Sequence, residues 1–168
     1  MPAESTGGRG LPPEAAAFLD YWFGALHERL AQDVPDAWLA TPRGSLAAVM
    51  VLDQLPRNFF RDDPRAYATD KKALALAKAA VDRGADAHLS DTERMFLYVP
   101  FQHSENAADQ ARSVALYEKL GGEQGIDFAR KHRDVIDRFG RFPHRNKVLG
   151  RESTPEEVEF LKGPALFW

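Results

Sequence analysis

The apolar residues of this chain recur at a spacing near 3.6 in every long pattern, and no segment alternates over the length of a strand. That single periodicity predicts an all-α fold, and proline and glycine divide it into six or seven helices. Pro12 and Pro13 open the first, which carries Phe18, Leu19, Trp22, Phe23, Leu26 and Leu30 on one broad face. Thr41-Pro42 reads as N-cap and first turn of the second, and Pro56 ends it. The third spans about Asp70 to Arg83, with Gly84 as its C-terminal cap. Ser90 and Glu93 have capping-box spacing for the fourth, interrupted at Pro100. The fifth covers Ser104, its N-cap, to Leu120 and stops at Gly121-Gly122, and the sixth covers Glu123 to Phe139 and stops at Gly140. A short last helix begins at Thr154-Pro155, with Thr154 and Glu157 as a second capping box, and closes at Gly163-Pro164. The connections are short, which favours antiparallel helical hairpins stacked side by side. Residues 1–10 read as a flexible lead and 11–168 as a single all-α domain.

Polar residues interrupt three of these apolar stripes. At 100° per residue Glu105, Asp109, Arg112, Leu116 and Leu120 fall within about 80° of one another on the fifth helix. Asp53 shares a stripe with Leu46, Val49 and Met50, and Gln54, Arg57 and Asn58 follow it around Pro56. His132 sits among Phe128, Val135, Ile136 and Phe139. A carboxylate leaves water only when it is paired, hydrogen-bonded or facing a wet cleft. Each residue alone has an ordinary explanation, a satisfied core histidine for His132 and a buried N-cap or an ion pair to Arg57 for Asp53. Three helices with the same conflict point to a shared polar site.

The segment Arg138 to Asn146, "RFGRFPHRN", places three arginines and a histidine in nine residues beyond the sixth helix. Gly140 and Pro143 keep it irregular, so Arg138, Arg141, His144 and Arg145 are expected to fold back onto Glu105, Asp109 and Asp53 as planar ion pairs. Asp109 in particular is expected to be buried against one of those arginines. Guanidinium groups beyond those needed for pairing would serve a carboxylate or phosphate ligand. A structural salt-bridge network that orders the C-terminal loop fits the same residues.

Several chemistries are excluded. The chain has no cysteine, so disulfides, zinc-thiolate sites and thiol nucleophiles are absent. It has no GxxxxGK[ST] loop, no GxGxxG and no GxSxG elbow. His103, Glu105, Asp109 and His132 offer nitrogen and oxygen donors, but no HExxH spacing makes them a metal set, and no cofactor is expected. The basic run through Lys147 and Arg151 is interleaved with Phe139 and Phe142, yet an isoelectric point near 6.0 argues against nucleic acid. No run approaches the ~20 apolar residues of a membrane span and the N-terminus has no apolar signal core, so the expected location is the cytoplasm.

The stretches "LDQLPRNFFR", "PRAYATD", "ERMFLYVPFQHSENAADQ" and "RFGRFPHRNKVLGRESTPEE" together resemble the bacterial domain-of-unknown-function family 924 over nearly the whole chain. The resemblance implies an all-α, tetratricopeptide-like fold and brings no catalytic residues with it. Asn106 departs from the pattern, since an acidic residue often follows "HSE" in the family, and the segment between "FLDYWFG" and "WLATPRG" is shorter than expected.

Two functions follow. In the first, a small anionic molecule is held by Asp53, Arg57, Asn58, Arg138, Arg141, His144, Arg145 and Asn146, while His132 or His103 transfers protons, oriented by Asp109 or Glu105. In the second, a concave helical face takes a peptide and the charged cluster is structural.

Overall fold

Side-chain caps start the helices largely where their spacing places them. In the computed structural model, which describes residues 13–164, the Thr41 hydroxyl accepts the Gly44 amide, and Ser90 with Glu93 and Thr154 with Glu157 close reciprocal capping boxes. The helices are α1 (Pro13–Gln32), α2 (Asp36–Leu39), α3 (Pro42–Phe59), α4 (Asp70–Asp82), α5 (Asp91–Gln102), α6 (Ala107–Leu120), α7 (Glu123–Phe139) and α8 (Pro155–Leu161). Short 3-10 turns lie at Pro64–Tyr67, Ala85–His88 and Pro143–Arg145, and no strand occurs among the described residues. The fold is all-α, with α2 beyond the number of helices expected. The lead expected over residues 1–10 lies outside the described residues.

Both internal prolines were expected to break a helix, and neither does. Pro100 sits inside α5, and α3 runs past Pro56 to Phe59. A proline has no amide to give the carbonyl four residues back, here that of Leu52. The Thr69 hydroxyl supplies the missing donor, reaching the Leu52 oxygen at 2.6 Å, and pairs with His27 Nε2 at 3.2 Å. At the next boundary α6 begins at Ala107, and its cap is Asn106, which accepts the Ala108 and Asp109 amides, rather than Ser104. Gln110 on α6 is fully buried and donates to the carbonyls of Phe101, Gln102 and Ser104, so one side chain finishes the end of α5.

Consecutive helices pack as pairs, α3 with α4, α5 with α6 and α6 with α7, while α1 and α2 lie on α3. The core has two main parts that meet along α3. Leu46 and Val49 join Leu97, Phe101, Val114, Tyr117 and Ala129 on one side, and Ala48, Val51 and Leu52 join Leu30 and Val34 on the other. On α4 it is Ala73, Ala77 and Ala80, none with any exposure, that let the backbone approach closely. A smaller cluster of Val135, Ile136 and Phe142, with Phe139 and Phe160, seats α8 on the end of α7. Gly140, at φ 70°, makes the left-handed turn out of α7 that this return requires.

The apolar face expected on α1 is buried only in part. Leu26 and Leu30 pack inward, but Trp22 and Phe23 are exposed, because burial against α3 and its neighbours sets in only toward the second half of the helix. Phe18 and Leu19 lie outside the residues whose side chains are described. No helix among the described residues is long and apolar enough to cross a membrane.

The alanine seam gives a direct test of this packing. Ala77→Leu should lower stability by about 1–3 kcal/mol through overpacking, read as a lower denaturant midpoint at unchanged slope. An unmoved midpoint would mean that α4 does not lie this close to its neighbours.

Candidate functional site

Asp53 has no exposed surface, and its position on the buried side of α3 determines what must surround it. Burial would raise its carboxyl, but the His103 ring, Arg57 and Gln54 more than offset this and hold it at about 2. His103 Nδ1 lies 2.8 Å from Asp53 Oδ1, Gln54 donates to Oδ2 at 2.6 Å, and Arg57 Nη1 stands 3.4 Å from Oδ1. An ionised carboxylate only accepts, so Nδ1 carries the proton and Nε2 keeps the lone pair. Burial lowers the His103 pKa further than the Asp53 charge raises it, with Arg57 and Arg145 pushing the same way as burial. The ring is therefore neutral at pH 7.

Arg57 continues the network by clamping Asp70 at the start of α4, with both bonds at 2.8 Å. Asp70 Oδ2 lies 3.5 Å from Arg145 Nη1, and Arg145 Nη2 donates to the His103 carbonyl at 3.0 Å. A closed circuit thus runs from the His103 ring through Asp53, Arg57, Asp70 and Arg145 back to the His103 backbone. Arg145 is only 6% exposed, with its guanidinium between the rings of Tyr67 and Phe142 at 4.7 and 4.6 Å. Its Nε is buried and finds no hydrogen-bond partner among the described residues.

This circuit borders a cleft of about 510 Å³ lined by Arg57, Arg61, Tyr67, His103, His132, Phe142, His144 and Arg145, among others. Arg61 is exposed and has no ion-pair partner among the described residues. Beside it Asp62 holds the left-handed conformation, at φ 59°, which aspartate tolerates better than most side chains. His132 Nδ1 donates to the Phe128 carbonyl at 2.8 Å, and its ring centroid is 6.3 Å from that of His103. Burial drives the pKa of His132 down to about 4 and that of His144 to about 3, with nearby positive charge adding to both. Both rings are neutral at pH 7 and bring hydrogen-bonding groups rather than charge.

Of the residues singled out from the sequence, the fold therefore brings Asp53, Arg57, His103, His132, His144 and Arg145 together. The others lie elsewhere. Asn58 is exposed and bonds the Gln54 carbonyl. Asp109 is buried as expected but not against an arginine, since its partners are Lys78 of α4 and the Ser104 hydroxyl. That face of α6 meets α4 instead of the C-terminal segment, as the Arg112–Asp82 pair also shows. Glu105 precedes α6 and is held by Arg151 at 2.7 and 3.0 Å and by the Phe142 amide at 2.8 Å. Arg138 reaches Glu156, and Arg141 grips Glu157 through two bonds of 2.7 and 2.8 Å. Asn146 is fully buried and bonds Ser153, Glu157 and Arg151. The expected return of Arg138, Arg141 and Arg145 onto Glu105, Asp109 and Asp53 is thus not what the chain does. The acids of the first turn of α8 take Arg138 and Arg141, and Arg145 alone turns inward. Among the described residues no three acidic or histidine side chains converge as a metal would need.

Arg61, Tyr67, Asp70 and Arg151 complete this region without having been singled out individually. Tyr67 and Asp70 stand in "PRAYATD", whose tyrosine between polar and small residues was a signal in the sequence. Nothing in the sequence distinguishes Arg61 from other surface arginines.

The fold and this site define an all-helical protein with a buried Arg/His/carboxylate circuit at the wall of a cleft. The chain belongs to the family described as bacterial protein of unknown function (DUF924), which it matches over residues 13–165. A solved structure of a protein of unknown function from Agrobacterium tumefaciens is 41% identical to it, with a TM-score of 0.84 and coverage of 92% of this chain and 88% of that one. No curated protein matches the chain.

The lowered histidines set a pH dependence. Between their ordinary value of 6.5 and about 4, the unfolded chain binds a proton at His132 that the folded chain refuses, so stability falls as the pH falls through that window. His132 alone accounts for a loss on the order of 3 kcal/mol, and His144 adds to it with the same sign. Melting temperature should fall from pH 6.5 to pH 4, and His132→Gln should make that fall shallower. Equal slopes in the two proteins would show that His132 is not held neutral.

Proposed function

We propose that this protein binds a small anionic ligand, bearing a carboxylate or a phosphate, in the cleft beside the Asp53–His103 pair, and that His103 Nε2 exchanges a proton with it. The observation that carries this reading is the state of the cations at the cleft. Arg57 and Arg145 are engaged by Asp53 and Asp70, but Arg61 stands exposed and unpaired among the described residues. An anion placed there gains a guanidinium that no protein carboxylate occupies. His103 has the arrangement of a general base, with one nitrogen fixed by a buried carboxylate and the other bearing a lone pair in the cleft wall. Ser104 is a poor nucleophile here, because its hydroxyl is donated to Asp109.

A tetratricopeptide-like interaction module is the second reading, and one observation favours it. Tyr21 is 75% exposed and Phe23 36% exposed on α1, aromatic surface of the kind that partner proteins cover. In that reading the circuit is a brace between helices.

The two readings separate in a thermal-shift titration at pH 7 with inorganic phosphate and acetate. Ligand binding should raise the melting temperature in proportion to the logarithm of anion concentration above Kd. Arg61→Ala, an exposed substitution, should fold normally and lose most of that rise. A parent protein that phosphate and acetate leave unmoved would sink the anion reading.

A further inference from the structure

We propose that the arginine-lined cleft is one half of a longer site, and that its ligand is an anion carrying an apolar chain that lies in a second cleft alongside. This inference rests on the anion-binding reading above and names the class of molecule. The second cleft, of about 390 Å³, shares Tyr67, His103 and Arg145 with the first. Much of the rest of its wall is carbon, from Pro64, Ala68, Leu74, Pro100 and Leu149.

Charge decides which end of a ligand goes where. Two carboxylates stand in the wall of the second cleft, those of Asp70 and Glu105. Each is already committed to an arginine through two bonds, Asp70 to Arg57 and Glu105 to Arg151. An anionic group there would meet these carboxylates with only Lys71 and the edge of Arg145 to offset them. At the first cleft it meets one carboxylate, Asp62, against three arginines, Arg57, Arg61 and Arg145, of which Arg61 has no ion-pair partner among the described residues. The head is therefore assigned to Arg61 and the apolar part to the second cleft. His103, common to both walls, then stands beside the bond that joins them.

Size supports the same assignment. A phosphate or acetate ion fills only a small fraction of 510 Å³, whereas small-molecule sites commonly run from about 300 to 1,000 Å³. The second cleft adds 390 Å³ of space. Apolar surface left open beside an anion site would be hydrated at a cost, and an attached chain removes that cost.

The test is calorimetric titration of the full chain at pH 7 with acetate, butanoate, hexanoate and octanoate, with hexanol as an uncharged control. Affinity should rise about threefold to fourfold per methylene until the second cleft is filled. Hexanol should bind far more weakly than hexanoate. Leu149→Asp puts a charge in the second cleft and Ala68→Phe fills it, both at exposed positions. Each variant should abolish the gain with chain length and leave acetate affinity unchanged. Acetate binding that depends on Arg61 but does not strengthen with chain length would overturn this proposal and leave the anion reading standing. No binding at any length would overturn both. A chain-length gain that survives in both variants, or hexanol binding as well as hexanoate, would also overturn the proposal.

Discussion

A carboxylate with no exposed surface cannot remain ionised without partners, and the ones that Asp53 recruits tie most of this molecule together. Its own helix supplies Arg57 and Gln54, while α5 supplies His103. Arg57 then fixes Asp70 at the start of α4, and Asp70 meets Arg145 from the turn after α7. Four segments distant in sequence are thus joined by one chain of charge that ends on the residue where it began. Such a circuit contributes less net stability than an apolar core of equal volume would. What it provides is a fixed geometry, in which the His103 ring can take one orientation and one tautomer.

The second basic arm of the molecule has a different role. Arg141 and Arg151 do not face the cleft; they hold Glu157 and Glu105, and Asn146 sits between them. Glu157 caps α8 through the Thr154 amide while accepting Arg141 and Asn146, which hold its carboxyl at about 2. The irregular segment after α7 is therefore pinned from outside by α8 and from inside by Arg145. Its composition, arginine among aromatics, serves both ends. Arg138 stacks on Phe139 at the surface, and Arg145 stacks between Tyr67 and Phe142 in the interior.

What could be read from the sequence follows from the range of each interaction. Caps act over three residues, so Thr41, Ser90 and Thr154 mark their helices directly. Asp53 and His132 are visible as polar interruptions of an apolar period, and both prove to be buried. Asp109 shows the same interruption, yet its partner is Lys78, because the pattern records that a group is buried and not what it faces. The same limit applies to the arginines. Pairs such as Arg57–Asp70 and His103–Asp53 span 13 and 50 residues, and nothing along the chain labels one end with the other. The helix through Pro56 escapes prediction for a related reason. A proline's cost depends on whether another part of the fold serves the carbonyl it abandons.

At Pro56 that service comes from Thr69, and the arrangement has a consequence for how this sequence can change. The Leu52 oxygen accepts from a hydroxyl 17 residues away, so positions 56 and 69 are coupled through that one shared oxygen. With proline at 56, losing the threonine hydroxyl strands a buried acceptor. With an amide-bearing residue at 56, two donors compete for one oxygen and the hydroxyl becomes dispensable. The same substitution at 69 is thus costly in one background and mild in the other. A lineage that gives up the proline must do so before it gives up the threonine, which makes the order of events, and not only their sum, part of the inheritance of this helix.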